Sequence, residues 1–302
     1  MIEEYYDFYK RNFPYIIRNK ETVLKIMSDS SNKSFEKRDE NGILIGLCLC
    51  NKNTIYLLAV CSNHRNKGIG SSLLEEAELY IKNNGYERVI VGVGKDYIMP
   101  GIPMRSKPYD EFLNNDNILE PIDDNAYHFF KKRGFEHSWD RCNCFDMLAN
   151  LDEVNIDNYN VGDVIDGVTY RWAHLSDIPR IKLCVDDGHK DFTKYYMEEK
   201  RYSDNSKKKV LIAEKDNEVL GCLIVSYDII DIGIGSVGCT VVSHKNRGKH
   251  IAVNMILIGT NYLKQNNVKK GYVGYTYSGL DKMYGYAGYS ICMYFSMAKK
   301  KI

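Results

Sequence analysis

Leu57-Leu58-Ala59-Val60-Cys61-Ser62-Asn63-His64-Arg65-Asn66-Lys67-Gly68-Ile69-Gly70 joins an apolar run to a glycine-punctuated turn, and the helical pattern Leu73, Leu74, Ala77, Tyr80, Ile81 follows. A strand that runs into Arg-x-x-Gly-x-Gly at a helix start builds an anion site. Small residues let the backbone approach, N–H groups point outward, and the helix dipole favours negative charge. The chemistry expected there is pyrophosphate binding. The glycine spacing is not that of a dinucleotide-binding fingerprint, and a Walker loop would need Gly-Lys-Ser/Thr.

Outward from this stretch, Ile43 to Cys50, the turn Asn51-Lys52-Asn53 and Thr54 to Val60 read as a hairpin. The helix stops at Gly85, and Arg88 to Val93 reads as a buried strand. The same order recurs downstream. Val210 to Ala213, the turn Lys215-Asp216-Asn217-Glu218 and Val219 to Val225 form a second hairpin; Gly235 to Val242 is the next strand. A helix with Val253, Ile256, Leu257 and Leu263 on one face then precedes the strand Gly271 to Thr276. Arg247-Gly248-Lys249-His250-Ile251-Ala252 opens that helix as Arg65 to Gly70 opens the first. Each half closes on Gly-aromatic, Gly134-Phe135 and Gly288-Tyr289. Arg65 to Gly134 spans 69 residues and Arg247 to Gly288 spans 41, which places an ordered insertion of 28 residues near 95–121. The expected division is 1–150 and 151–302, joined through the acidic, Asn-rich stretch Leu151 to Asp166.

The 302 residues suit two domains, and 44% apolar content supports a sizeable core. Lys and Arg number 41 against 40 Asp and Glu, so no global field recruits nucleic acid or an anionic membrane. The acidic, aromatic start Met-Ile-Glu-Glu-Tyr-Tyr-Asp is unlike a secretory signal, and no run approaches the ~18 apolar residues of a membrane span; a soluble, cytoplasmic protein is expected. Nine Cys include Cys48-x-Cys50 and Cys142-x-Cys144 but no Cys-x-x-Cys, so small buried hydrophobes are expected rather than a disulfide framework or a metal site.

The segment Leu57 to Gly70 resembles the acyl-CoA loop of the GCN5-related N-acetyltransferase (GNAT) family, which has the form Gln/Arg-x-x-Gly-x-Gly/Ala. Gly235-Ser236-Val237-Gly238-Cys239-Thr240-Val241 leading to Arg247 is similar to the fourth strand of that fold with its bulge. Met283-Tyr284-Gly285-Tyr286-Ala287-Gly288-Tyr289 matches the family's Tyr followed by Gly-aromatic. The resemblance covers about 40–145 and 168–298. It implies an α/β (α+β) chain of two tandem GNAT domains, each a mixed, mostly antiparallel sheet flanked by helices, with acetyl-CoA as cofactor.

The resemblance places cofactor contacts at Val60 and Arg65-Asn66-Lys67-Gly68-Ile69-Gly70-Ser71 in the first half. In the second it places them at Thr240-Val241-Val242 and Arg247-Gly248-Lys249-His250-Ile251-Ala252. The implied reaction is direct attack of an amine on the thioester in a ternary complex. It needs a backbone N–H for the developing oxyanion, near Thr240 to Val242 or Ala59 to Cys61, and an acid for the departing thiolate. Tyr284 is the candidate acid; the matching position in the first half is Phe130. Asp281 lies one helical turn before Tyr284 and either meets substrate or closes a capping box in Ser278-Gly279-Leu280-Asp281. His250 departs from the family glycine.

Within the insertion, Tyr97-Ile98-Met99-Pro100-Gly101-Ile102-Pro103 is similar to a loop of tandem acetyltransferases associated with amino-sugar salvage. Tyr97, Pro100 and Gly101 are therefore candidate contacts to the acceptor, and a structural turn explains the segment equally. The acceptor class expected is a small-molecule amine, glucosamine or a glucosaminide. An aminoglycoside, polyamine or amino acid is the alternative, and a non-catalytic acyl-CoA-binding module is the reading from another class.

Overall fold

The computed structural model describes residues 1–92, 98–104, 125–137, 144–227, 233–277 and 279–302. Contacts divide them into two units, Met1–Phe145 with Cys292–Ile302, and Asp146–Ile291. In chain order the elements are α1 (Ile2–Asn12), α2 (Lys20–Met27), β1 (Lys33–Arg38), β2 (Leu44–Asn51), β3 (Thr54–Val60), α3 (Ile69–Asn83), β4 (Arg88–Val91), β5 (Ile102–Met104), α4 (Asn125–Lys131) and β6 (Glu136–His137). Next come β7 (Cys144–Asn150), β8 (Val164–Ile165), β9 (Val168–Trp172), α5 (Ile178–His189), α6 (Thr193–Tyr196), β10 (Lys208–Lys215), β11 (Glu218–Tyr227) and β12 (Ile234–Val242). The chain ends with α7 (Ile251–Gln265), β13 (Lys270–Tyr277), α8 (Asp281–Gly285), β14 (Ser290–Ser296) and β15 (Ala298–Lys301).

In the first unit the sheet order is β1-β2-β3-β4-β15-β6. The hairpin of β2 and β3 is antiparallel, and β3 meets β4 in parallel only at Thr54↔Ile90 and Ile55↔Val91. The last strand, β15, runs antiparallel to β4 on one side and β6 on the other. The unit thus takes a strand from the far end of the sequence. Lys300 anchors it, its Nζ 2.8 Å from Glu78 and 5.6 Å from the Phe135 ring centre.

In the second unit β8 to β13 lie in the order β13-β12-β11-β10-β9-β8, with β7 beside β13. Residues 146–150 of β7 belong to this unit, although in the sequence they close the first half. The consecutive halves 1–150 and 151–302 are therefore not the contact units. Strand propensity and burial reveal that a segment is a strand but not which sheet it joins, and the two closing strands sit apart from the halves they follow.

The core of the second unit has two layers. On one side α5 and α6 bury Ile181, Val185 and Tyr196 against Val210, Ile212, Cys222, Ile224 and Val241. On the other, α7 presents Met255, Ile256 and Leu263, all at 0% exposure, each contributing roughly 1.5–3 kcal/mol. Gly259 lets α7 approach closely: a Cβ there would lie 2.9 Å from Leu223. A charged cluster holds the start of α5. Burial alone would raise the Asp177 carboxyl, but bonds from Arg171, the His174 N–H and Arg180 outweigh it and hold it far below the usual carboxylate range.

A proline in a strand paired on both sides removes a ladder bond and leaves its partner unsatisfied, at a cost of roughly 1–3 kcal/mol. Lys299 pairs with Ile90 and with Glu136. Lys299→Pro is expected to lower the stability of the first unit by that amount in urea titration, and unchanged unfolding would contradict the placement of β15.

Candidate functional site

The two glycine-rich loops have the same backbone. A single 3-10 turn, Ser62–His64 or His244–Asn246, leads to an extended arginine with φ −68 and ψ 162 at Arg65 and φ −66 and ψ 155 at Arg247. The next residue is left-handed in both, Asn66 at φ 61 and Gly248 at φ 77, and so is the residue before the helix, Gly68 at φ 81 and His250 at φ 57. That explains the residue types. Gly and Asn tolerate positive φ, whereas His250 pays about 1–2 kcal/mol for it. His250 therefore fills the family glycine's position and keeps its conformation.

The first helical bonds are Ser72 N–H to Gly68 O at 3.0 Å and Asn254 N–H to His250 O at 2.9 Å. The N–H groups of Ile69, Gly70 and Ser71, and of Ile251, Ala252 and Val253, precede them and have no partner within the helix. The motif arginines brace the loops: Arg65 Nε donates to Val60 O at 3.1 Å, and Arg247 Nη2 to Gly188 O at 2.8 Å. Lys67 is exposed, while Lys249 Nζ reaches Asn246 Oδ1 at 2.9 Å.

Their surroundings differ. The second loop borders an open pocket of about 230 Å³ lined by Val242, Asn246, Arg247, Gly248, His250, Ile251, Ala252 and Val253. In the first unit Phe129 of α4 leans on the start of α3, 3.4 Å from where a Cβ on Gly70 would stand. Arg133 stacks over the Phe129 ring at 3.8 Å and donates from Nη2 to Ser71 Oγ at 2.6 Å. The second loop is the more open of the two, and its leading N–H groups with Arg247 and His250 at the rim suit an anionic group.

Beside that pocket, β12 and β13 pair in parallel only at Ile234↔Lys270 and Gly235↔Gly271 and share no later ladder pairs. A register shift opposite Cys222 and Ile224 marks a bulge in β12, with Cys239 at φ 50. Tyr196 Oη donates to Cys239 O and fixes the bulge. Thr240 Oγ1 then lies 3.2 Å from Tyr284 Oη. Burial pushes the Tyr284 phenol up to about 12, against the Thr240 bond, which lowers it. Its ring meets Tyr289 edge-on, with centroids 6.0 Å apart. In the first unit Phe130 is packed edge-on against Phe135 and offers no hydroxyl.

Of the expected site residues, the fold brings Thr240 and Tyr284 together and sets Val242 with Arg247, Gly248, His250, Ile251 and Ala252 around one pocket, whereas Lys249 is turned to Asn246. Asp281 Oδ1 accepts from Gly279 N–H at 3.1 Å, a bond that folds the carboxylate back over the entry to α8; Ser278 of the expected capping box lies outside the described residues. Tyr97 also lies outside them. Pro100 and Gly101 are buried, and a Cβ on Gly101 would lie 2.6 Å from Ser296 O, which makes this turn a packing element of the first unit.

One residue escaped the sequence reading. Asp146 is 3% exposed, accepts from Tyr272 Oη at 2.6 Å and from Tyr275 N–H at 2.9 Å, and so secures a left-handed Tyr275 at φ 57 in β13. A carboxylate inside the apolar run Cys144-Phe145-Asp146-Met147-Leu148 was the available signal.

A family model of the GNAT acetyltransferase family matches residues 2–98. Among solved structures, the GCN5-related glucosamine N-acetyltransferase region of a fungal multi-domain GH3 β-N-acetylglucosaminidase superposes with a TM-score of 0.73 at 17% identity, over 99% of this chain and 36% of that one. The chain thus spans about a third of that larger protein. A tandem GNAT protein from the clavulanic acid biosynthesis pathway gives 0.68 at 14% identity, over 99% of this chain and 94% of that one. A GCN5-related N-acetyltransferase from Sphaerobacter thermophilus gives 0.62 at 15%, over 93% and 85%. No curated protein sequence matches. The fold is that of the tandem GNAT proteins, a mixed α/β arrangement of sheets flanked by helices.

Acetyl-CoA is expected to bind at the second loop. Ala252→Phe should abolish calorimetric binding, whereas Gly68→Val should leave it unchanged; the reverse pattern would move the cofactor to the first unit. Asp146→Asn keeps the shape but replaces one acceptor oxygen by a donor facing Tyr272 or Tyr275. It is expected to cost about 1–3 kcal/mol of stability in urea titration.

Proposed function

We propose that the chain is an acetyl-CoA-dependent N-acetyltransferase whose second unit carries out transfer to the amine of an amino sugar, glucosamine or a glucosaminide. The observation that carries this reading is Tyr284, a buried phenol with a raised pKa, held against Thr240 at the parted strands beside an open loop pocket. Bound acetyl-CoA supplies an acetyl thioester. The N–H groups of Ile251, Ala252 and Val253 would hold its diphosphate, backbone N–H groups beside the β12 bulge would serve the carbonyl oxygen, and Tyr284 would give its proton to the leaving sulfur. No side-chain nucleophile is required, because the amine itself attacks.

Support for the acceptor is narrower. The fungal structural neighbour is described as a glucosamine N-acetyltransferase region, and the sequence of the Tyr97 to Pro103 segment, whose Pro100-Gly101 turn packs inside the first unit, resembles that of the clostridial glucosamine/glucosaminide N-acetyltransferase. The near balance of charge provides no acidic excess to capture a polycation. Among the described residues no helix is long and apolar enough to cross a membrane.

Tyr284→Phe is expected to lower kcat by about 10²-fold or more while leaving acetyl-CoA affinity unchanged, since the ring remains and only the proton donor is lost. A group with its pKa raised to about 12 stays protonated below that pH and loses its proton only above it. The wild-type rate should therefore rise as the acceptor amine deprotonates and show no alkaline decline up to about pH 10. Asp281→Asn should leave kcat within about twofold if its bond to Gly279 is its whole role. Rates on glucosamine, spermidine and an aminoglycoside at equal concentration test the acceptor; a tenfold preference for either polycation would leave only the general acetyltransferase reading.

A further inference from the structure

Arg201 sits in a 3-10 turn, Glu199–Tyr202, between α6 and β10, and is only 7% exposed. Its Nη2 donates to Glu198 Oε1 at 2.9 Å, but its buried Nε has no partner. A guanidinium withdrawn from water with one donor unused bears a desolvation cost that one partly exposed carboxylate does not offset. The turn is fixed to the candidate site by two hydrogen bonds in series. Tyr202 Oη donates to Tyr196 O at 2.6 Å, and Tyr196 Oη donates to Cys239 O at the β12 bulge.

The two sides of that bulge face different ways. Thr240 reaches Tyr284, whose neighbour Tyr289 lies against Thr260 of α7. Cys239 packs with Met197 and Tyr202 against the α5 core. The loop pocket and Tyr284 therefore lie on the α7 side of the sheet, and Arg201 on the α5 side.

The surroundings of Arg201 are crowded with cations. Glu198 is shared between Arg201 and Lys200, whose Nζ lies 3.6 Å away. Lys208 is held below the ordinary lysine range by desolvation first and then by repulsion from Arg201. Burial pushes the Cys239 thiol up to about 11, with Arg201 and Lys194 pulling the other way. Lys200 and Arg201 thus share the one carboxylate Glu198, and Lys208 lies near enough to be repelled by both cations.

We infer that Arg201 binds an anionic group, a carboxylate or a phosphate, carried by the acceptor amine on the face opposite the loop pocket. The planar guanidinium presents Nε and an Nη together, the fork that pairs with either oxyanion. Binding there would use the idle Nε donor and relieve the cation crowding. The inference rests on the acetyltransferase reading and narrows its acceptor to an amino sugar bearing a negative charge.

The experiment compares glucosamine, glucosamine 6-phosphate and muramic acid, which carries a carboxylate, on the full chain and on Arg201→Gln and Arg201→Lys, with folding verified by thermal melting. The wild type is expected to favour at least one charged acceptor over glucosamine by tenfold or more in kcat/KM, and the preferred acceptor identifies the anion as phosphate or carboxylate. Arg201→Gln should raise KM for that acceptor by tenfold or more with kcat and the glucosamine KM unchanged, and Arg201→Lys should recover part of the loss. A variant that alters all three acceptors equally, or none, overturns the inference. So does a wild type that prefers glucosamine, a measurement that needs no variant to fold. In these cases acetylation of glucosamine leaves the proposed function standing, whereas no acetylation of any of the three removes both.

Discussion

The early parting of β12 from β13 is the constraint on which the second unit's site depends. A parallel ladder continued along both strands would satisfy the backbone groups between them. Ending it at Gly235↔Gly271 leaves the backbone groups of later residues without a partner in that ladder, so they must be satisfied elsewhere. Holding strands apart costs lost pairing, and the structure supplies compensation on each side. Tyr196 bonds the carbonyl of the bulged Cys239, and Asp146 bonds the N–H of the left-handed Tyr275. Both devices are buried, where a hydrogen bond left unmade would be most costly.

How much of this could be read in the sequence depends on whether the requirement is local. Positive φ two and four positions into each loop is a local demand, and Gly68, Gly248 and Asn66 state it in residue type, so the loops, their helices and the repeat were legible. His250 was the exception. A strained backbone can be held by its surroundings without a glycine to announce it. Tyr284 was legible through its spacing from Gly288, but the partner that fixes it, Thr240, lies 44 residues away and is revealed only by folding.

Assignment of strands to sheets was not legible. Cys144 to Asn150 and Ala298 to Lys301 satisfy any sheet edge of suitable length, and sequence adjacency assigned each to the half it follows. The contact units place residues 146–150 in the second unit and 292–302 in the first. Asp146 was hidden for that reason: read as part of the first half, it was a carboxylate with no site to serve. The Pro100-Gly101 turn was ambiguous for another reason. Its residue types fit a sugar platform and a packed turn equally, and only burial against Ser296 distinguishes them.

The difference between the two loops follows from the side chains of a neighbouring helix more than from the loops themselves. Asn66 to Ser71 and Gly248 to Val253 share a backbone, so both present the same donors. What changes is α4. In the first unit Phe129 and Arg133 occupy the approach to Gly70 and Ser71, and the position equivalent to Tyr284 is the phenyl ring of Phe130. A guanidinium stacked on Phe129 and bonded to Ser71 Oγ puts a positive charge at the positive end of α3, an arrangement the helix dipole disfavours by a few tenths to about 1 kcal/mol. Stacking and the hydroxyl bond offset that cost. The first unit thus keeps the architecture of an anion site while filling it from within, and the short α8 of the second unit, with Tyr284 turned to Thr240, leaves its loop open.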